Sequence, residues 1–143
     1  MRCAEIMKRN VQTVREADSV QWAAEKMAMA NVGFLPVCDE MGRVLGAITD
    51  RDITIRSVAK GRAPGGCLVG EVMTRQVVAC RPDDTLSDAE RLMAQHQKSR
   101  VVITDGNGVL MGVISLSDIA ENEPARRTAK TLRQVAAREA PHA

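Results

Sequence analysis

Aromatic residues are almost missing from this chain of 143 residues: Trp22 and Phe34 are the only two, and tyrosine is absent. That leaves little stacking surface for single-stranded nucleic acid. Charge of one sign is missing as well. Twenty Lys and Arg face eighteen Asp and Glu, a formal charge of +2 mixed along the chain, so no footprint for duplex DNA stands out. Apolar runs long enough to cross a bilayer are absent, and the start "MRCAEIMKRN" lacks the apolar centre of a signal peptide. A soluble cytoplasmic protein without DNA or membrane partners is expected. Cys3, Cys38, Cys67 and Cys80 are widely spaced, without a C-x-x-C or a neighbouring histidine, which argues against a zinc site or a disulfide framework. Reduced thiols are expected, with a redox role for an exposed Cys38 or Cys80 as a further reading. Catalytic signatures are lacking too. His96 falls on a predicted helix and His142 in the terminal tail, and no G-x-S-x-G, G-x-x-x-x-G-K-[ST] or H-E-x-x-H occurs. No enzyme, required cofactor or metal is expected.

What is present is a duplication. "EIMKRNVQTVREADSVQWAAEKMA" aligns with "EVMTRQVVACRPDDTLSDAERLMA", and "NVGFLPVCDEMGRVLGAITDRDIT" with "QKSRVVITDGNGVLMGVISLSDIA". Glu5/Glu71, Met7/Met73, Met27/Met93, Gly46/Gly112 and Asp52/Asp118 coincide at one constant offset. Each copy reads as a short helical turn (4–9, 70–75) and a brief apolar segment (11–14, 77–80). A helix then begins at a predicted Asp cap, Asp18 or Asp84. Val20, Ala23, Ala24, Met27 and Ala28 share one face of the first helix; Leu86, Ala89, Met93 and Ala94 share one face of the second. Two strands joined by the turns "DEMG" and "DGNG" follow, and a second helix starts at Thr49 or Ser115. The unit is β-α-β-β-α, in an α/β (α+β) class. Two such units are expected to pack as a pseudo-twofold pair: repeat one over 1–61, a linker over 62–68 and repeat two over 69–122. Gly61 is a predicted helix C-cap. The tail, 123–143, predicts a basic amphipathic helix with Ala125, Ala129, Leu132 and Ala136 on the docked face.

Within the repeat, "GAITDRDI" and "GVISLSDI" share a hydroxyl residue, two variable positions and an aspartate. A capping box accounts for that spacing. The same geometry also serves a ribonucleotide, with amides and a hydroxyl for phosphate and a carboxylate for a vicinal diol. Both readings stand at the level of spacing.

The doubled [ST]-x-x-D ending, the "LPV" strand and the "EIM" start resemble a tandem pair of CBS domains over roughly Ala4–Ala120. The overall pattern is similar to small stand-alone bacterial CBS-pair proteins, the hypoxic-response type among them. The resemblance implies a regulatory Bateman module that binds AMP, ADP, ATP, S-adenosylmethionine or an NAD-like molecule in the cleft between repeats. It implies that Asp52 and Asp118 hold ribose hydroxyls, and that Thr49, Ser115 and Ser117 contact phosphate or ribose, with Arg51 nearby. Thr13, Val14, Ala79 and Cys80 would line the adenine pockets, and Arg100 would reach phosphate. Phe34 replaces that arginine in repeat one, and Glu16 adds negative charge there unless Arg15 or Arg51 offsets it, so unequal occupancy is expected. Trp22 and Met29, seven apart, lie off the core stripe and point to a partner surface, which the resemblance assigns to a homodimer. A structural adaptor acting through that surface without ligand is the alternative function.

Overall fold

The computed structural model describes residues 1–137; the end of the tail, with His142, lies outside the described residues. Helices α1 (Cys3–Ile6) and α2 (Val20–Ala30) precede strands β1 (Phe34–Cys38) and β2 (Val44–Thr49). Next comes α3 (Asp50–Asp52), continued by a π turn (Ile53–Ser57) and a 3-10 turn (Val58–Lys60). After a 3-10 turn at Pro64–Gly66, the chain forms α4 (Val69–Val72), β3 (Ala79–Cys80), α5 (Leu86–His96), β4 (Arg100–Thr104) and β5 (Leu110–Ser115). Helices α6 (Leu116–Asn122) and α7 (Ala125–Ala136) close it. The class is mixed helix and strand, as predicted.

Two compact units result, and their borders differ from those of the sequence repeats. Among the described residues, one holds 11–77 with 108–110; the other holds 1–10, 78–107 and 111–137. The short helix that leads each repeat therefore belongs to the unit built on the other repeat's strands.

In the 11–77 unit, β1 and β2 pair antiparallel, with Phe34 opposite Thr49, Leu35 opposite Ile48 and Val37 opposite Gly46. The expected strand over 11–14 is reduced to one parallel bridge, Val14 to Val37. Val14 donates to the Pro36 carbonyl and accepts from the Cys38 amide, while the Thr13 carbonyl accepts from Lys26 Nζ at 2.6 Å instead of continuing the ladder. Val14, Val20, Ala23, Met27, Leu35, Val37, Ile48, Val69, Val72 and Met73 form its core. In the other unit the equivalent strand exists: β3 runs parallel to β4 in a sheet ordered β3-β4-β5. Its core gathers Cys3, Met7, Leu86, Ala89, Met93, Val101, Ile103, Ile114, Ile119 and Val135.

The helix starts fall one residue later than predicted. Ser19 caps α2 by accepting from the Trp22 amide, and Thr85 caps α5 in a reciprocal pair with Asp88. Asp18 and Asp84 instead accept from the Arg15 and Arg81 amides, each at 2.8 Å, closing the turn that delivers the cap. Gly61 ends the first half in the left-handed region, as predicted.

The buried stripes of α2 and α5 follow the predicted periodicity except that Ala28 is exposed and Glu90 joins the buried face of α5. Helix α7 docks on α5 and α6 with a different face from the predicted one. Ala125, Ala129, Leu132 and Ala136 point outward, while Thr131 and Val135 are buried. The reason is Glu90: its carboxylate needs a donor where α7 lands, and the Thr131 hydroxyl supplies one at 2.7 Å. An alanine and leucine face there would leave the charge unpaired. Accordingly, Val135→Ala is expected to lower stability by about 1–3 kcal/mol, while Leu132→Ala stays within about 0.5 kcal/mol. Urea denaturation of the two variants checks this.

Candidate functional site

Each repeat ends β2 or β5 in a hydroxyl residue that caps the next helix, and the third helical residue is aspartate. In the 11–77 unit, the Thr49 amide donates to Asp52 Oδ2 at 3.0 Å, and the Asp52 amide donates to Thr49 Oγ1 at 3.0 Å. Asp52 is 8% exposed. Its carboxylate also accepts from the Thr74 hydroxyl at 3.3 and 3.4 Å, with Arg56 Nε 3.9 Å from Oδ1. Arg56 is anchored by the Val72 and Met73 carbonyls.

In the other unit, the Ser115 amide donates to Asp118 Oδ2 at 2.9 Å and the Asp118 amide to Ser115 Oγ at 3.3 Å. Asp118, 3% exposed, pairs through Oδ1 with Lys8 Nζ at 3.4 Å. Both junctions are therefore capping boxes, so that reading of the motif holds in each copy.

Thr74 and Lys8 were not singled out in the sequence, yet they are equivalent positions in the two repeats, "EVMTR" and "EIMKR". The signal was the constant offset itself. Each segment bridges the strand next to its aspartate: Thr74 exchanges backbone hydrogen bonds with Ala47, and Lys8 with Val113. Gly46 and Gly112 make this approach possible. A Cβ on Gly46 would run into the Thr74 carbonyl, and one on Gly112 would lie 2.8 Å from the Lys8 carbonyl.

Around Asp52, the residues expected to serve one ligand site differ in availability. Thr49 is half-buried, Arg51 exposed, and Val14 buried with its backbone held by β1. Glu16 is offset by neither predicted cation; Arg75 Nη2 holds it at 2.8 Å. Around Asp118, Ser115 and Arg100 are half-buried and Ser117 and Ala79 exposed. The Leu116 amide donates to the Ser99 carbonyl, which sets the start of β4 beside the start of α6. Cys80 turns into the core.

The exposure expected of a redox thiol is corrected by burial. All four cysteines are free and buried. Burial and the neighbouring Asp39 push the Cys38 thiol up, and the hydrogen bond with Cys3, then burial, pushes Cys80 up. Thiols of that kind are poor redox nucleophiles. Among the described residues no three His, Cys, Asp or Glu gather as a metal would need, and no helix is long and apolar enough to cross a membrane. A groove of about 990 Å³ between α5 and α7 is lined by none of the predicted site residues.

On this geometry, either carboxylate has one oxygen committed to the helix cap and another facing a donor from the neighbouring segment. A diol arriving there competes with Thr74 in one unit and with Lys8 in the other. Removing the acceptor altogether, as in Asp118→Ala, is expected to cost about 1–2 kcal/mol of stability. Asp118→Asn keeps an oxygen for the Ser115 amide and should lose less, a difference that thermal unfolding resolves.

Comparison with known proteins places these junctions in context. The CBS domain model matches residues 3–58 and 69–124. The CBS domain-containing protein YhcV of Bacillus subtilis is 42% identical over 123 residues, covering 86% of each chain. Hypoxic response protein 1 of Mycobacterium tuberculosis is 30% identical over 120 residues, covering 84% of this chain and 83% of its own. A crystal structure of hypoxic response protein 1 with two coordinated zinc ions superimposes at a TM-score of 0.79 and 29% identity, covering 87% of this chain and 100% of that one. The CBS domain pair of protein MJ0100, solved in complex with 5'-methylthioadenosine and S-adenosylmethionine, reaches a TM-score of 0.76 at 25% identity, covering 85% and 94%.

Proposed function

The chain belongs to the CBS domain family, and on that premise we propose that it is a non-catalytic regulatory module that binds an adenosine-containing ligand. One observation carries the reading. The repeats keep a buried aspartate beside a hydroxyl residue at equivalent strand-to-helix junctions, with an oxygen of each carboxylate facing donors a ligand can replace. The Thr85–Asp88 box that caps α5 also uses aspartate, but Asp88 is only half-buried, and burial sets Asp52 and Asp118 apart from it. The adenosine ligands of the MJ0100 pair support the ligand class.

In this proposal Asp52 and Asp118 take ribose hydroxyls, and Thr49, Ser115, Ser117, Arg51 and Arg100 face the ribose or phosphate. Thr13, Val14, Ala79 and Cys80 border the base. A ligand that favours one arrangement of the chain shifts the population toward it, and a partner protein reads the change. AMP, ATP, 5'-methylthioadenosine and S-adenosylmethionine are the first ligands to screen by thermal shift. A true ligand at a hundred times its dissociation constant should add about 2.7 kcal/mol of stability. The gain should vanish in the Asp52→Ala, Asp118→Ala double variant. A shift that survives in that variant removes the site assignment.

We also propose a homodimer through α2. Trp22 is 40% and Met29 71% exposed on this helix, and Val32 just beyond it is exposed as well. Lys26 Nζ lies 5.4 Å from the centre of the Trp22 ring, within cation–π distance. The Trp22→Glu, Met29→Glu variant is expected to halve the molar mass read by light scattering while circular dichroism stays unchanged. Unaltered mass in that variant would place the assembly surface elsewhere.

A further inference from the structure

Helix α7 closes over a buried pair of acids. Glu90 of α5 is 8% exposed, and Glu123, between α6 and α7, has a side chain only 6% exposed. Thr131 donates to Glu90 Oε2, which leaves Glu90 Oε1 buried without a hydrogen-bond partner; Glu123 Oε2 is in the same position. Arg127 of α7 lies beside both, with Nη2 4.0 Å from Glu90 Oε1 and Nε 3.2 Å from Glu123 Oε2. One guanidinium against two carboxylates leaves one negative charge in excess. Glu123 and Glu90 hydrogen-bond to each other through their side chains, so a single proton held between them cancels the excess.

We infer that Glu90 and Glu123 share one proton, and that this proton latches α7 onto α5. When α7 undocks at neutral pH, Glu123 becomes solvated and releases the proton to water. Burial, then the hydrogen bond and charge of Glu90, raise the Glu123 carboxyl above the usual range, while Arg127 and the chain's amino terminus oppose the shift. The remaining charges nearby are occupied or open to solvent. Arg91 of α5 pairs with Asp88 at 2.8 Å, Glu121 of α6 is exposed, and Arg126 and Lys130 of α7 line the outer groove.

The sign follows from the raised acid. The docked state holds a proton that the undocked state has lost, so docking weakens as pH rises. The contribution is complete below the ordinary glutamate range and gone above the docked-state value. Between these limits the docked-to-undocked ratio should fall about tenfold per pH unit.

Native-state hydrogen exchange of the full chain, corrected for intrinsic exchange, reads this ratio at the α7 amides. The wild type should lose protection across that window, while Glu123→Gln, whose amide donates to Glu90 at every pH, should stay flat. A Glu123→Gln variant that keeps the wild-type slope overturns the inference. Should that variant fail to fold, carbon NMR of the wild-type carboxyls decides: Glu123 titrating in the ordinary glutamate range overturns the latch, and a raised midpoint supports it. Calcium chloride that restores protection at high pH, where sodium chloride of equal ionic strength does not, would assign the orphan oxygens to a cation and also overturn it.

Discussion

Close approach of two backbone segments at each strand-to-helix junction is the constraint on which the structure depends. Thr74 exchanges hydrogen bonds with Ala47, and Lys8 with Val113, against strand positions where only glycine fits. Through these bridges the leading segments enter the units. Val69, Val72 and Met73 complete one core, and Cys3 and Met7 the other. The same bridges set a donor beside each buried aspartate. A side chain at Gly46 or Gly112 would therefore disturb packing and site chemistry together, because one contact serves both.

The two junctions share a backbone design and differ in charge. Asp52 meets a neutral hydroxyl from Thr74, with Arg56 at the edge of ion-pair distance; Asp118 meets the ammonium of Lys8 directly. A ligand's hydroxyls at the proposed sites would displace a neutral donor in one unit and a solvated cation in the other, so the two exchanges would differ in free energy and in salt dependence. The Glu16–Arg75 pair adds a second asymmetry, since it makes the acid that Pro82 replaces in repeat two part of a neutral pair. Duplication supplies equivalent scaffolds, and single residues at matching positions make them chemically unequal.

Helix α7 shows how a polar seam selects a helix face. Hydrophobic patterning alone favours burying Ala125, Ala129 and Leu132. The structure buries Thr131 and Val135, and the Thr131 hydroxyl donates to Glu90 where α7 covers α5. Leaving a carboxylate unpaired in apolar surroundings costs more than exposing one leucine and a few alanines. The outward face of α7 is consequently its most apolar one, and the groove beside it carries the cationic side chains of Arg91, Arg126, Arg127 and Lys130.

By itself the sequence determined the duplication, the mixed fold, the strand pairs, the core stripes of α2 and α5, and the spacing that allows a capping box at each junction. Those features rest on contacts a few residues apart, or on a pattern that the chain states twice. Glu90, which joins the buried stripe of α5, was not among the predicted face residues. Tertiary structure decided the rest. It moved the helix caps from Asp18 and Asp84 to Ser19 and Thr85, since both neighbours can accept hydrogen bonds and only backbone geometry ranks them. It buried Cys38 and Cys80, turned α7, and brought Lys8 to Asp118 and Thr74 to Asp52. Those last pairings join residues remote along the chain, and no local propensity or spacing encodes which donor a buried carboxylate meets.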